Sequence, residues 1–220
     1  MNIAIDGPAG AGKSTIARRA ARELGFLYVD TGAMYRAVAL YMINNNIDFS
    51  DEEKVSLAVK NVNIDLCYEN DEQQILLNGK NVNSLIRTPE VSATASKTSS
   101  YKAVRERLLD LQKDIAAKNS VLMDGRDIGT VVLPNAELKI FLTASSKVRG
   151  ERRYKELIER GEKADLSSII KDIEKRDEQD RNRAIAPLKQ ADDAVLVDTS
   201  DMSIDEVVNR IIELKNSISE

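Results

Sequence analysis

The chain of 220 residues contains no histidine, no tryptophan and a single cysteine, Cys67. Without imidazole there is no Ser–His or Cys–His nucleophile pair, no histidine-ligated zinc and no imidazole acid–base step. One cysteine rules out an intramolecular disulfide and a cysteine-rich metal site, and it suits a reducing compartment. Nine aromatic residues, six Tyr and three Phe, leave little surface on which bases could stack. A net charge of −4 argues against a general nucleic-acid footprint, which needs a basic face. No apolar run approaches the ~20 residues of a membrane span. The first seven residues carry neither a basic start nor a small-residue cleavage site, so a signal peptide is not expected. These absences predict a cytoplasmic, soluble protein with neither nucleic acid nor membrane as partner.

Apolar residues make up 42% of the chain and charged residues 31%, the balance of a globular domain. Short apolar runs alternate with segments of helical period. Strands are predicted at residues 2–6, 27–30, 121–124, 138–142 and 194–198. Helices are predicted at 14–24, 32–46, 102–118, 146–160, 167–181 and 203–215. Five short buried strands among helices read as an α/β fold, a parallel sheet covered on both faces. Residues 62–84 break the rhythm: period-two alternation leads to Asn78-Gly79 between apolar runs, a strong hairpin signal. A small antiparallel β subdomain inserted into the α/β core is therefore expected.

Gly7-Pro8-Ala9-Gly10-Ala11-Gly12-Lys13-Ser14, followed by Thr15, satisfies G-x-x-x-x-G-K-[ST] at every fixed position. It follows a predicted buried strand and opens a predicted helix, the context that the mechanism requires. Glycines let successive peptide N–H groups turn inward around phosphates, and the helix N-terminus adds partial positive charge. In such a P-loop Lys13 reaches the β- and γ-phosphates and the Ser14 hydroxyl ligates Mg²⁺, so a nucleoside triphosphate is the expected ligand. The Asp-x-x-Gly and Asn-Lys-x-Asp strings of GTPase switches do not occur in the chain. Its length leaves room for a donor site, an acceptor site and a cover, which favours a small-molecule kinase.

Three arginine-bearing segments fit an anionic acceptor: residues 30–36 with Arg36, residues 124–127 with Arg126, and residues 176–183. The first two follow strands, at the ends where open α/β sheets bind ligands. In the third, Arg176, Asp180 and Arg183 recur at i, i+4, i+7 and are expected on one helical side. The guanidinium fork matches phosphate with two parallel hydrogen bonds and stays charged. Arg149, Arg152 and Arg153 share a face of the helix predicted at 146–160.

The blocks IDGPAGAGKST, VDTGAMYRAVAL, IRTPEVSATAS, DGRDIGTVVLPNAELKIFLTAS and RDEQDRNRAIAPL together resemble bacterial-type cytidylate kinases, a family of nucleoside monophosphate kinases. The resemblance runs over essentially the whole chain. It implies one P-loop three-layer domain over residues 1–220, with a five-stranded parallel core sheet, a CMP-binding insertion near 62–84 and a helical lid near 147–163. It implies transfer of the γ-phosphoryl group of ATP to CMP or dCMP with Mg²⁺, giving ADP and CDP or dCDP; separately, a monomer is expected. Gly7, Pro8, Ala9, Gly10, Ala11, Gly12, Lys13, Ser14 and Thr15 would cradle the donor phosphates. Arg36, Arg126 and Arg183 would hold the acceptor phosphate, with Thr31 touching the acceptor. Ser96, Arg105 and Asp127 would read the cytosine edge, and Arg176 and Asp180 would reach the sugar hydroxyls. Asp124 would hold the metal through a water. Lys13, Arg126, Arg149, Arg153 and Arg183 would stabilise the migrating phosphoryl group. A kinase for another small acceptor and a non-catalytic ATP-dependent switch are the competing readings of the P-loop alone.

Overall fold

Runs such as Ile3-Ala4-Ile5 and Val121-Leu122-Met123 have no polar face, so both sides of the strands they form are buried. The computed structural model describes residues 1–69 and 72–218, in which sixteen strands and helices follow one another. In chain order these are β1 (Asn2–Asp6), α1 (Lys13–Leu24), β2 (Leu27–Asp30), α2 (Thr31–Asn44), α3 (Glu52–Ala58), β3 (Ile64–Glu69), β4 (Glu72–Leu77) and β5 (Lys80–Asn81). They continue with α4 (Pro89–Thr98), α5 (Lys102–Lys118), β6 (Val121–Gly125), β7 (Leu138–Thr143), α6 (Ser146–Glu159), α7 (Leu166–Asn182), β8 (Val195–Asp198) and α8 (Ile204–Ser217). Five strands form one sheet in the order β2-β6-β1-β7-β8, and β3-β4-β5 form a second.

The chain divides into two compact units, Met1–Leu27 with Ser120–Glu220, and Tyr28–Asn119. In the first, β1 pairs in parallel with β6 on one side and β7 on the other, and β8 extends the sheet in parallel beyond β7. The α1 helix buries Ile16, Ala17, Ala20 and Ala21 and packs on β6 and α8. It starts after Gly12 and stops at Gly25, both in the left-handed region that glycine enters without a Cβ penalty. A full capping box, Ser203 with Glu206, starts α8. Close packing of α6 on α7 needs Gly150, where a Cβ would lie 2.5 Å from Ile170 Cγ1.

In the second unit β3 and β4 pair antiparallel, and Asn78-Gly79 turns β4 into β5 with φ of 48° and 79°. Two successive positive φ angles are what a tight hairpin turn of this hand requires. Positions 70 and 71 of the predicted insertion lie outside the described residues. The core helix α2 buries Ala33, Met34, Ala37, Val38 and Met42 and packs against α4 and α5.

The α3 and α4 helices are absent from the sequence reading. Asp51 caps α3 by accepting from the Glu53 and Lys54 N–H groups. Thr88 caps α4, with Pro89 at its first turn. Both are recognisable start signals that the short, polar stretches behind them concealed. A five-residue π-helical turn, Ile128–Val132, follows β6. No helix among the described residues is long and apolar enough to cross a membrane.

Candidate active site

In the first unit the Gly-rich loop joins β1 to α1. Gly7 lies so close to β7 that a Cβ there would stand 1.9 Å from the Leu142 carbonyl oxygen. Gly10 and Gly12 have φ of 74° and 82°, so the peptide N–H groups of the loop turn toward one side before α1 begins. Lys13 folds back over the loop and donates from Nζ to the Pro8 carbonyl at 2.7 Å. Burial pushes its ammonium down to about 7, and the neighbouring Arg126 guanidinium pushes the same way. The next residue, Ser14, donates from Oγ to Asp124 Oδ2 at 3.0 Å, bringing together a hydroxyl and a buried carboxylate 110 residues apart.

The segment after β6 carries two of the predicted arginine contacts. Arg126 donates from Nε to Asp180 Oδ2 at 2.9 Å and from Nη1 to the Gly125 carbonyl at 3.3 Å. Arg183 donates from Nη2 to Asp127 Oδ1 at 3.3 Å and from Nε to the Ala186 carbonyl. Arg176 and Asp180 lie on α7, but Arg183, expected on the same helical side, does not. The α7 helix ends at Asn182, and Arg183 has extended backbone angles. A chain reversal turns Arg183 toward Asp127. It runs through Ala186, a non-glycine residue at φ 48°, and the Leu188 N–H returns to the Asp180 carbonyl at 2.8 Å.

Asp6, which sequence reasoning did not single out, closes β1 directly beneath this segment. Its Oδ1 accepts from the Ile128 N–H at 2.7 Å and its Oδ2 from the Gly129 N–H at 2.8 Å. Burial raises its carboxyl to about 6 even though these two N–H groups favour the charged form.

Arg149 and Arg153 behave differently from each other. The Arg149 guanidinium is buried and forks onto Asp177, Nη1 to Oδ1 at 3.1 Å and Nη2 to Oδ2 at 2.6 Å. It also donates to the carbonyls of Ala144 and of Ala9 inside the Gly-rich loop. Arg152 grips Thr199 through its hydroxyl and carbonyl, and Arg153 lies exposed beside Glu156. Arg149, Arg152 and Arg153 nonetheless line one cavity of about 560 Å³. Gly10, Gly12 and Thr15 form one wall, and Ile16, Met202, Ile204 and Val207 give it apolar surface. The apolar residues of segment 202–207 carry no motif, and only their placement around α1 reveals them.

In the second unit, Asp30 caps α2 by accepting from the Ala33 N–H at 2.8 Å and holds Arg36 Nη2 at 3.1 Å. The Nε of Arg36 is buried without a hydrogen-bond partner among the described residues. Thr31 is buried at the start of α2. Ser96 lies on α4. Arg105, on α5, donates to the Ser99 carbonyl at 3.2 Å and lies 5.7 Å from the centre of the Tyr35 ring. Thus α2, α4 and α5 bring the four predicted acceptor residues of this unit onto packed helices.

No group of three or more acidic or thiol side chains able to hold a metal exists among the described residues. The Ser14–Asp124 pair supplies hard oxygen donors, as Mg²⁺ prefers, but too few for a cage without phosphate ligands.

The sequence matches the family model described as cytidylate kinase over residues 3–217. It is 49% identical to the cytidylate kinase of Lactobacillus johnsonii, covering 97% of this chain and 93% of that protein. It is 50% identical to that of Alkaliphilus oremlandii over 99% of both chains. The fold is similar to an uncharacterised protein from Eubacterium ventriosum, with a TM-score of 0.54, 12% identity and 99% of both chains covered. It is similar also to shikimate kinase from Bacteroides thetaiotaomicron, with a TM-score of 0.50, 15% identity and 98% of both covered. At such identities these structures speak for the fold alone, whereas the sequence matches reach further: the chain belongs to the cytidylate kinase family, and it is a kinase.

Proposed function

We propose that the protein transfers the γ-phosphoryl group of ATP to CMP or dCMP. The observation that carries this reading is the meeting, within one unit, of the Gly-rich loop and Lys13 with Arg126. Ser14 Oγ reaches Asp124 Oδ2 at 3.0 Å, two residues before Arg126, and the guanidinium helps to depress the Lys13 ammonium. A phosphate-gripping loop facing a second cationic group suits two phosphorylated ligands better than one.

On this reading residues 7–15 cradle the ATP phosphates and Lys13 exchanges the Pro8 carbonyl for a phosphate oxygen. The apolar walls of the 560 Å³ cavity, beside the same loop, receive the donor base. Arg126, Arg183 and Arg36 hold the acceptor phosphate. Ser96, Arg105 and Asp127 read the cytosine edge, and Thr31, Arg176 and Asp180 engage the rest of the nucleotide. The ion pairs Arg126–Asp180 and Arg183–Asp127 pre-orient their guanidinium planes, so less side-chain freedom is lost on binding.

Phosphoryl transfer proceeds through a loose transition state whose charge spreads over equatorial oxygens, so positioning and fixed positive charge matter more than proton transfer. A chain without histidine loses nothing by that. Arg126 and Arg183 aim the attacking phosphate oxygen in line, while Lys13 and the arginines of α6 stabilise the migrating group. Ser14 would hold Mg²⁺ directly and Asp124 would hold it through a water, and the ion bound with the nucleotide would neutralise phosphate charge.

The test is ADP release from ATP and Mg²⁺ with each nucleoside monophosphate in turn. Strong stimulation by CMP and dCMP, weak stimulation by UMP and almost none by AMP or GMP is expected. Equal stimulation by all would remove the cytosine assignment and leave the kinase.

A further inference from the structure

We propose that Asp6 is a positioning residue for the acceptor loop: its carboxylate locks the backbone behind Arg126 and Asp127 to the base of the phosphate-binding loop. The inference rests on the reading above, in which those two side chains engage the acceptor.

The geometry is a two-point clamp. One carboxylate accepts from two consecutive peptide N–H groups, those of Ile128 and Gly129, at 2.7 and 2.8 Å across more than 120 residues of sequence. Two short bonds to adjacent amides fix the orientation of two successive peptide planes relative to one carboxylate, which a single bond cannot do. The clamp engages where the chain leaves regular structure. Asp127 has φ −147° and ψ 29°, and the π-helical turn begins at the next residue. Such turns survive where the surroundings over-determine them.

Gly129 completes the fit from the other side. A Cβ on it would meet Lys139 Cδ at 3.1 Å and Asp6 Oδ2 at 3.4 Å, so only a residue without a side chain fits between the buried lysine stem and the carboxylate without crowding. Asp6 itself cannot drift, because it closes β1 between β6 and β7, and the next residue, Gly7, abuts Leu142. The donor-side and acceptor-side loops are thereby held on one rigid strand end. In-line transfer tolerates little error in that separation, since a displacement near 1 Å can cost about 100-fold in rate.

The experiment compares Asp6→Asn, Arg126→Ala and the double variant by steady-state kinetics with CMP and ATP. Asparagine keeps the shape but turns an NH₂ group toward one of the two N–H donors. Asp6→Asn is expected to lower kcat/KM for CMP about 100-fold while the KM for ATP moves less than about threefold. The double variant is expected to lose clearly less than the product of the two single losses, because Asp6 acts through the loop that carries Arg126. Gly129→Ala, which crowds the Lys139 stem and the Asp6 carboxylate without altering a charge, is expected to reproduce the CMP-selective loss. It serves in place of Asp6→Asn should that variant not fold. Losses that multiply in full, or an equal loss of ATP affinity, would overturn the positioning role. An unimpaired Asp6→Asn beside an impaired Arg126→Ala refutes this inference alone. An unimpaired Arg126→Ala refutes the acceptor reading, and this inference with it.

Discussion

Arg126 donates from Nε to Asp180 Oδ2 at 2.9 Å, joining the end of β6 to the last turn of α7. The pair is mostly buried, at 21% and 9% side-chain exposure, so it aims the guanidinium in an environment that screens charge poorly. Arg126→Ala should reduce kcat/KM for CMP by the equivalent of about 2–4 kcal/mol, as loss of one preorganised donor does. Arg126→Lys should also be impaired, because a point charge cannot reproduce the fork. Steady-state kinetics on both variants checks this, and near-normal kcat/KM in Arg126→Ala would contradict the acceptor role.

Asp127 faces Arg183 from the same loop. If it reads the exocyclic amine of cytosine, Asp127→Ala should narrow the preference for CMP over UMP more than it weakens nucleotide binding. Competition between the two substrates measures the ratio directly. A preserved ratio with weaker binding would assign Asp127 to holding Arg183.

Burial lowers the Lys13 ammonium from 10.5 to about 7, so the nucleotide-free protein holds it partly neutral at physiological pH. A lowered folded value means that the lysine's contribution to stability is complete above its unfolded value and is lost as pH falls through about 7. A triphosphate reverses the sign by favouring the charged form, so binding takes up a proton. ATP affinity without magnesium should weaken as pH rises above 7, by up to about tenfold per unit. Calorimetry in buffers of different ionisation enthalpy should register the proton uptake. Lys13→Met should abolish both effects.

Gly7 has no space for a side chain, since a Cβ would lie 1.9 Å from a backbone oxygen of β7. Gly7→Ala must therefore displace the loop or the strand. ATP binding should fall by at least about tenfold, because a misplaced loop loses several amide contacts at once. Titration with ATP provides the measurement, with circular dichroism showing that the variant remains folded.

The Arg149–Asp177 pair is buried on both sides, at 4% and 6% side-chain exposure. Asp177→Ala leaves a guanidinium without its counter-ion and should cost about 3–5 kcal/mol of stability. The double variant Arg149→Met/Asp177→Leu should recover most of that loss, since burying two charges is itself expensive. Urea unfolding of the three proteins tests this. A double variant less stable than Asp177→Ala would mean that the Arg149 bonds to Ala9 and Ala144 outweigh the ion pair.

Much of the chain is legible before folding. The strand ends, the turn at Asn78-Gly79 and the Gly-rich loop follow from local rules, because each depends on residues only a few positions apart. α3 and α4 escaped for the same kind of reason in reverse. Their cap signals at Asp51 and Thr88 are present, but α3 buries only Val55 and Ala58, and α4 buries Val91, Thr94, Ala95 and Thr98, a helical spacing that two threonines and an alanine keep from standing out as apolar. The i+7 spacing puts Arg183 on a helix face because it is blind to where α7 stops. The stop is set by a reversal at Ala186 that side-chain spacing does not encode.

The amino-acid order by itself determined that a phosphate-binding loop stands between a buried strand and a helix, and that arginines abound where an anion would arrive. Glycine conformations and apolar periodicity are properties of neighbours in the chain. Only the tertiary structure decided the partners: Arg126 with Asp180, Arg183 with Asp127, Arg149 with Asp177, and Asp6 beneath the Ile128 and Gly129 amides. Those pairings span 28 to more than 120 residues. They exist because parallel register sets the ends of β1, β6 and β7 side by side while α7 returns its last turn to the same edge, and no local pattern of residues carries that distance.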